Sequence, residues 1–393
     1  MIPSLRRAFN AAWTPAKHAE FERDLHERVG SRIEFPVSET PCFFPRTLLG
    51  ELSNVGAELT RQALRGEAAS AAERVVPDRF RGPNQGDMPV FVQVDFGLVR
   101  NHAGGIEPRL VELQAFPSLY AFQPALADAY RATYDLPASL QPYLDGLTRE
   151  EYLQVVGQAI AGDHDPTDVV LMEIQPQRQK TRPDFQMTEQ LWGVRTVDTD
   201  DVVRDGRQLL YRRDGQLHPI RRVYNRVIPD ELETKQLPLP FDYRDDLDVE
   251  WAGHPAWYFR ISKFSIPWLR HPSVPRTWFL NQVTALPLER DHLLLKPLFS
   301  FAGGGIVFAP TDEQLRAIPD DRREQYILQE RIVFEPVNDT PHGPTQAEVR
   351  IMFVWTDRLR PVLALVRMGR GKMMGVDHNK GLRWVGASAA LMM

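Results

Sequence analysis

The chain has 393 residues, 43% of them hydrophobic and 25% charged, with a formal net charge of −5. That length exceeds what one hydrophobic core serves, so two or three lobes are expected, and the mild acidity excludes nucleic acid or an anionic membrane as the main partner. The single cysteine, Cys42, excludes a disulfide framework and a Cys-rich metal centre. No apolar stretch approaches the length of a membrane span, and none follows Arg6-Arg7 as a signal peptide requires, so a cytoplasmic location is expected.

In chain order, residues 16–28 read as a charged helix with Phe21, Leu25 and Val29 on one face. Residues 47–68 read as a second amphipathic helix, and Arg81–Pro89 as a loop marked by Gly82, Pro83, Gly86 and Pro89. Strands follow at Val90–Phe96 and Arg109–Gln114, with a hairpin loop over Asn101–Pro108, then helices over 117–135 and 148–162. Beyond Gly162 the pattern alternates. Asp168–Ile174 contains the continuous apolar run of a buried parallel strand. A helix over Asp184–Trp192, a strand near Val194–Val197, a hairpin at Asp214-Gly215 and a strand over Arg222–Ile228 follow. The last hundred residues read mainly as strands joined by glycine turns. The fold class is therefore α/β (α+β). Four stretches are expected: a helical region over 1–89, a mixed segment over 90–162, an α/β lobe over 163–253, and a strand-rich stretch over 254–393.

The most informative segment is Leu293-Leu-Leu-Lys-Pro-Leu-Phe-Ser-Phe-Ala-Gly-Gly-Gly-Ile306. An apolar strand carries Lys296, and Gly303, Gly304 and Gly305 form a backbone free of Cβ that can lie against a ligand. Successive N–H groups in such a loop make a nest for phosphate oxygens, and a lysine beside it adds a compact positive charge. The motif is neither a Walker A loop nor G-x-G-x-x-G, and an ordinary hairpin turn is the competing reading. Tyr326-Ile-Leu-Gln-Glu330 is a second apolar strand whose Gln329 and Glu330 suit adenine and ribose. Lys263 lies upstream as a second candidate for a phosphate.

Glu112 and Gln114 stand two apart on a strand and share a face, an oxygen pair suited to Mg²⁺. Glu348 and Arg350 repeat that spacing, as metal ligand and phosphate contact or as a cross-strand ion pair. Arg367-Met-Gly-Arg-Gly-Lys372 packs cations among glycines, the composition of a mobile loop that closes over anions, or of a basic surface hairpin. Arg222 and Arg226 share a strand face and could grip a carboxylate with two hydrogen bonds each. No Ser/His/Asp or Cys/His arrangement is present in the pattern.

The order of these motifs resembles the circularly permuted ATP-grasp enzymes, with eukaryotic-type glutathione synthetase the nearest pattern and glutathionylspermidine synthetase a relative in design. The residues that carry it are Glu112-Leu-Gln114, Arg222-Val-Tyr-Asn-Arg226, Leu294-Leu-Lys-Pro297 with Gly303–Gly305, Tyr326-Ile-Leu-Gln-Glu330, and the late Gly386-Ala-Ser-Ala-Ala390. The resemblance implies ATP and Mg²⁺ as cofactors, with 90–162 as part of the ATP-grasp core, 163–253 as the substrate-binding lobe and 254–393 as the nucleotide-binding lobes. Lys263, Lys296 and Arg350 would meet phosphates under the glycine loop, Gln329 and Glu330 the adenosine, and Glu112, Gln114 and Glu348 the metal. Arg226, Arg367 and Lys372 would serve the substrate. Phe301-Ala302 stand where the family carries a metal-binding Glu before its glycines, and Gln114 replaces an Asn. The implied activity is an ATP-dependent carboxylate–amine or carboxylate–thiol ligase working through an acyl phosphate on small-molecule substrates. The alternatives are a nucleotide-binding protein without turnover and a phosphotransferase. A homodimer is left open.

Overall fold

The computed structural model describes residues 1–284, 289–300 and 303–393. Helices α1 (Pro3–Ala12) and α2 (Pro15–Val29) open the chain, and Thr14 caps α2 by accepting from the Lys17 amide. Phe21, Leu25 and Val29 are the buried stripe of α2, as their spacing predicts. β1 (Cys42–Phe44) leads into α3 (Arg46–Ala63) and α4 (Gly66–Arg74). The single helix expected over 47–68 is thus two, parted where Gly66 takes φ +57°. β2 (Phe91–Arg100) and β3 (Ile106–Gln114) form the expected hairpin with a tighter loop. α5 (Phe122–Thr133) and α6 (Arg149–Ala161) follow, the latter opened by a Thr148/Glu151 capping box.

The alternating region contains β4 (Val169–Glu173), α7 (Arg182–Trp192), β5 (Arg195–Asp198), β6 (Val203–Asp205), β7 (Gln208–Arg213), β8 (Gln216–Ile220), β9 (Arg222–Asn225), α8 (Pro229–Lys235) and β10 (Glu250–Ala252). Asp214 and Gly215, both with positive φ, turn β7 into β8. The last part comprises α9 (Ala256–Arg260), β11 (Thr277–Phe279), β12 (Leu293–Pro297), β13 (Val307–Phe308), α10 (Asp312–Arg316), β14 (Tyr326–Glu330), β15 (Gln346–Trp355), β16 (Leu359–Gly369) and β17 (Gly386–Met392).

The principal sheet has the order β1-β17-β16-β15-β2-β3, antiparallel except where β1 runs parallel to β17. It draws strands from the first, second and last of the four stretches, so its spatial unit does not follow the chain. A fully parallel sheet, β10-β9-β4-β5, forms from the alternating region. A third sheet, β11-β14-β12-β13, is antiparallel, and β6-β7-β8 is a meander.

Strand alternation divides the principal sheet into two unlike faces. Val92, Val94 and Phe96 of β2 and Val349, Ile351 and Phe353 of β15 pack with Leu49, Leu52 and Leu59 of α3. Phe91, Met352, Val354, Leu363 and Leu365 point the other way, into a core shared with Tyr152 and Val156 of α6 and Leu171 of β4. That second core covers only part of its face. The remainder carries charge.

Candidate active site

Four adjacent strands bring a row of polar side chains onto one face. Arg367 of β16 stands opposite Glu348 of β15, Arg350 of β15 opposite Asp95 of β2, Asp95 opposite Glu112 of β3, and Gln93 opposite Gln114. Directly opposed residues on one face of an antiparallel pair interact most strongly. Register slips at the β2–β3 pair beside Asp95, leaving Val111 as the extra residue, a bulge of the kind that re-aims a neighbouring side chain.

The row is tightly bonded. Arg350 grips Asp95 with two hydrogen bonds, Nε to Oδ1 at 2.5 Å and Nη2 to Oδ2 at 2.6 Å, and donates Nη1 to Gln93 Oε1 at 2.8 Å. Arg367 donates Nε to Glu348 at 2.7 Å, and its Nη2 reaches both Glu348 and Asp95. Glu112 stands looser, 3.9 Å from Arg350, and Gln114 Nε2 lies 3.0 Å from Gln93 Oε1. Asp95 is fully buried, yet its two guanidinium partners hold its carboxyl below the usual range. Burial pushes Glu348 up, against the pull of Arg367. Paired carboxylates hold Arg367 firmly charged in its half-buried place.

The third sheet supplies the opposite wall. Lys296 Nζ donates to Gln329 Oε1 at 2.6 Å and lies 3.4 Å from the Val111 carbonyl at the bulge, which ties the two sheets together. Burial lowers the Lys296 ammonium to about 8, with Glu112 and Glu348 opposing and Lys263 assisting. Lys263 is also lowered by burial, with Glu112 and Asp230 opposing. Its Nζ donates to the Ser300 carbonyl at 2.8 Å, and the Tyr258 hydroxyl donates to the Phe299 carbonyl at 2.9 Å. Two hydrogen bonds therefore hold the chain entering the glycine loop.

That loop joins antiparallel β12 and β13, so it is geometrically a long hairpin connection. Gly303 and Gly305 take φ of +75° and +71°, and a Cβ on Gly305 would stand 2.7 Å from Pro297 Cγ. A Cβ on Gly303 would stand 2.6 Å from Met373 Cε, so the segment after β16 lies against this loop. Lys372 sits 6.0 Å from the Phe308 ring centroid, on the same side. Phe301 and Ala302 lie outside the described residues.

Other expected residues lie elsewhere. Glu330 points to the opposite side of β14 from Gln329 and pairs at 2.6 Å with exposed Arg276. Arg222 pairs with Glu250 at 2.6 Å. Arg226 is 2% exposed and bonded to fully buried Asp184 at 2.7 Å. The same aspartate accepts from the amides of Leu119, Ala121 and Phe122 and so caps α5. Arg226 thus serves an ion pair inside the core instead of standing open to a substrate.

The sequence reading missed Asp95 and Gln93, though the alternation Phe91-Val-Gln93-Val-Asp95-Phe96 placed two polar groups on the inward face of an apolar strand. It also missed the carboxyl end of the parallel sheet. There Glu173 is buried and pushed up to about 8, and Gln175 takes φ +46°. β4 sends its crossover to β5 on one side and pairs with β9 on the other, the switch point beside which open parallel sheets hold ligands. Phe116, two residues past Gln114, lies 5.7 Å from the Arg226 guanidinium and bridges this end to the charged row. The surface hollows lined by Gln154 and Arg360 and by Arg61 and Trp268 contain none of these groups.

The donor set does not present a ready metal centre. Asp95 and Glu348 face arginines, and among the described residues no group of three His, Cys, Asp or Glu side chains is arranged to hold a metal ion. Nor is any described helix long and apolar enough to cross a membrane.

No protein-family model matches the sequence, and no curated protein does. Among solved structures the chain is similar to a glutathione synthetase-like effector from Globodera pallida, solved in its apo form. The TM-score is 0.61 at 12% identity, and 96% of each chain is covered. At that identity the likeness speaks for the fold: a mixed α/β protein of several sheets, similar to a glutathione synthetase-like structure.

Proposed function

We propose that this chain is an ATP-dependent ligase of the permuted ATP-grasp type, joining a small carboxylic acid to an amine or thiol through an acyl phosphate. One observation carries the reading: Lys296 of the third sheet and Lys263 at the start of the short helix before β11 stand across from a row bearing Arg350 and Arg367, with the glycine turn alongside. In such a cleft the lysines and the amides of Gly303–Gly305 neutralise phosphate oxygens. Gln329, already fixed on Lys296, orients that ammonium. Catalysis of phosphoryl transfer is mostly positioning and charge neutralisation, which is what these groups supply. The segment carrying Lys372 closes the site against water, which would otherwise hydrolyse an acyl phosphate. The carboxylate substrate belongs between the row and the carboxyl end of the parallel sheet, past Phe116. Cytoplasmic residence fits the lone Cys42, which is buried with its thiol pushed up to about 11.

The test is hydroxylamine trapping. Incubation with ATP and a panel of amino acids and short peptides should yield a hydroxamate from one acid class, together with ADP. Lys296→Met should abolish both. ATP binding with neither hydroxamate nor ADP for any acid favours a second reading, nucleotide binding without turnover, which the arginine-occupied carboxylates support. A stable phosphorylated product needing no acceptor would instead indicate a phosphotransferase.

A further inference from the structure

The resemblance assigns Glu112, Gln114 and Glu348 to a divalent cation. The structure places these oxygens on one face, as that role requires, but fills the space between them with guanidinium groups. Arg350 takes both oxygens of Asp95 in a parallel fork, and Arg367 spans Asp95 and Glu348. Mg²⁺ demands near-octahedral oxygens at about 2.0–2.1 Å. An ion bound by Glu112 and Glu348 would have Arg350 and Arg367 as immediate neighbours, because the same carboxylates contact those arginines. Neither arginine can lose its charge to make room.

The charge balance points the same way. Lys263, Lys296, Arg350 and Arg367 face Asp95, Glu112, Glu348 and Asp230, so the carboxylates of the cleft are already balanced by cations of the chain itself. The charged groups of the row that remain reachable are Arg367, with 23% of its side chain exposed, and Glu112, with 29%. Asp95 and Glu348 are sealed beneath them. A planar guanidinium presents several fixed donors matched to phosphate geometry, so it can meet a phosphoryl group directly.

We infer that Arg350 and Arg367 occupy the place of the divalent cation in this protein, so that it binds a phosphate-bearing ligand through the partly exposed Arg367 guanidinium, with Arg350 locked beneath it, and without requiring a metal. The ligand half of this inference rests on the nucleotide reading above, whereas the metal half rests on the row alone.

Two measurements separate them. In the first, Mn²⁺ is titrated into the full chain without nucleotide and followed by electron paramagnetic resonance. The wild type should leave the free-ion signal undiminished up to about 1 mM, a range in which weak carboxylate sites already bind divalent ions. The Arg350→Met/Arg367→Met double variant, with folding checked by circular dichroism, should gain one site at least tenfold tighter, which Glu112→Gln removes again. Stoichiometric Mn²⁺ binding by the wild type that is lost in Glu112→Gln would overturn the inference.

In the second, which needs only the wild type, ADP is titrated calorimetrically in EDTA and in Mg²⁺. Affinities within threefold of each other are expected. A tenfold or larger dependence on Mg²⁺ overturns the inference even if the double variant fails to fold. Absence of ADP binding in both buffers, with Mn²⁺ also unbound, removes the nucleotide reading and leaves the row as a metal-free structure.

Discussion

Arg226 and Arg367 make an instructive pair. Each projects from a strand, and each bonds a buried aspartate: Asp184 for the first, Asp95 for the second. Asp184 spends its remaining capacity on three backbone amides at the start of α5, and aromatic rings of Phe116 and Phe185 flank Arg226. That pair is shut off from solvent. Around the Arg367–Asp95 pair the chain instead stacks further charges, a second arginine and two more carboxylates, and leaves one edge open opposite a buried lysine. The same chemistry therefore serves as a rivet in one place and as a charged floor in the other. The difference lies in what surrounds the pair.

The strongest way to break this comparison is to remove one partner of the closed pair. Asp184→Ala strands the Arg226 charge in the core and uncaps α5, and should destabilise the protein by about 3–5 kcal/mol in urea unfolding. Arg367→Met, on the open row, leaves Asp95 held by Arg350 and lets Glu348 take up a proton, so it should cost less stability than Asp184→Ala and should weaken nucleotide binding as well. If the two variants unfold alike, the distinction fails.

Lys296→Met comes next, with nucleotide affinity expected to fall by about 1.5–3 kcal/mol, the scale of a charge-assisted hydrogen bond. The wild type carries a pH signature of the same group. Its ammonium is lowered from 10.5 to about 8, so affinity for an anion should fall as pH rises through 8. Stability runs the other way: the unfolded chain holds this proton up to 10.5, so folding gains between 8 and 10.5. Calorimetry and urea titration at pH 7, 8 and 9.5 should show the two trends diverging, and Lys296→Met should flatten both.

Gly305→Ala forces a side chain into φ +71° against Pro297 and should cost about 1–2 kcal/mol of stability. A substitution at exposed Gly206, which has open space around its Cβ position, should show only the backbone part of that cost. Glu173→Gln sharpens the comparison from the parallel sheet. Glu173 is raised from 4.5 to about 8, so the folded state keeps a proton that the unfolded chain releases. Its contribution to stability is complete below pH 4.5 and fades as pH climbs to 8. The glutamine variant should lose that slope. The smallest effect is reserved for Glu330→Gln, which breaks a pair with exposed Arg276 and should shift stability by about 0–1 kcal/mol.

Local periodicity made much of the secondary structure legible. The Phe21, Leu25, Val29 stripe, the apolar run at Val169–Met172 and the Asp214-Gly215 turn all stand where their patterns put them. Helix α1 and the break at Gly66 were missed, although Pro3 at a helix start, Leu5 and Phe9 at helical spacing, and the glycine itself were local signals for them. Of the candidate site, spacing revealed the shared faces of Glu112 with Gln114 and of Glu348 with Arg350. Which strands stand side by side is not a local property, and so the opposition of Asp95 to both Arg350 and Glu112 could not be read. Arg226 shows the converse limit. Its spacing from Arg222 suggested an open grip on a carboxylate, but a strand arginine carries no local sign of whether Asp184 will close over it.

The parallel pairing of β1 with β17 has a consequence in time. Cys42 finds its partner at Ala390, and β2 finds β15 only after some 250 intervening residues have been made, as the pairing of Val94 with Ile351 shows. A ribosome therefore delivers β1 and the β2–β3 hairpin long before the strands that will cover their open edges. Such distant pairings slow the search for the native arrangement. Uncovered edges are also templates for association while they wait. The nascent chain should thus be a client of folding helpers until β15, β16 and β17 emerge together. At that moment the sheet closes and the charged floor comes into being in a single late event.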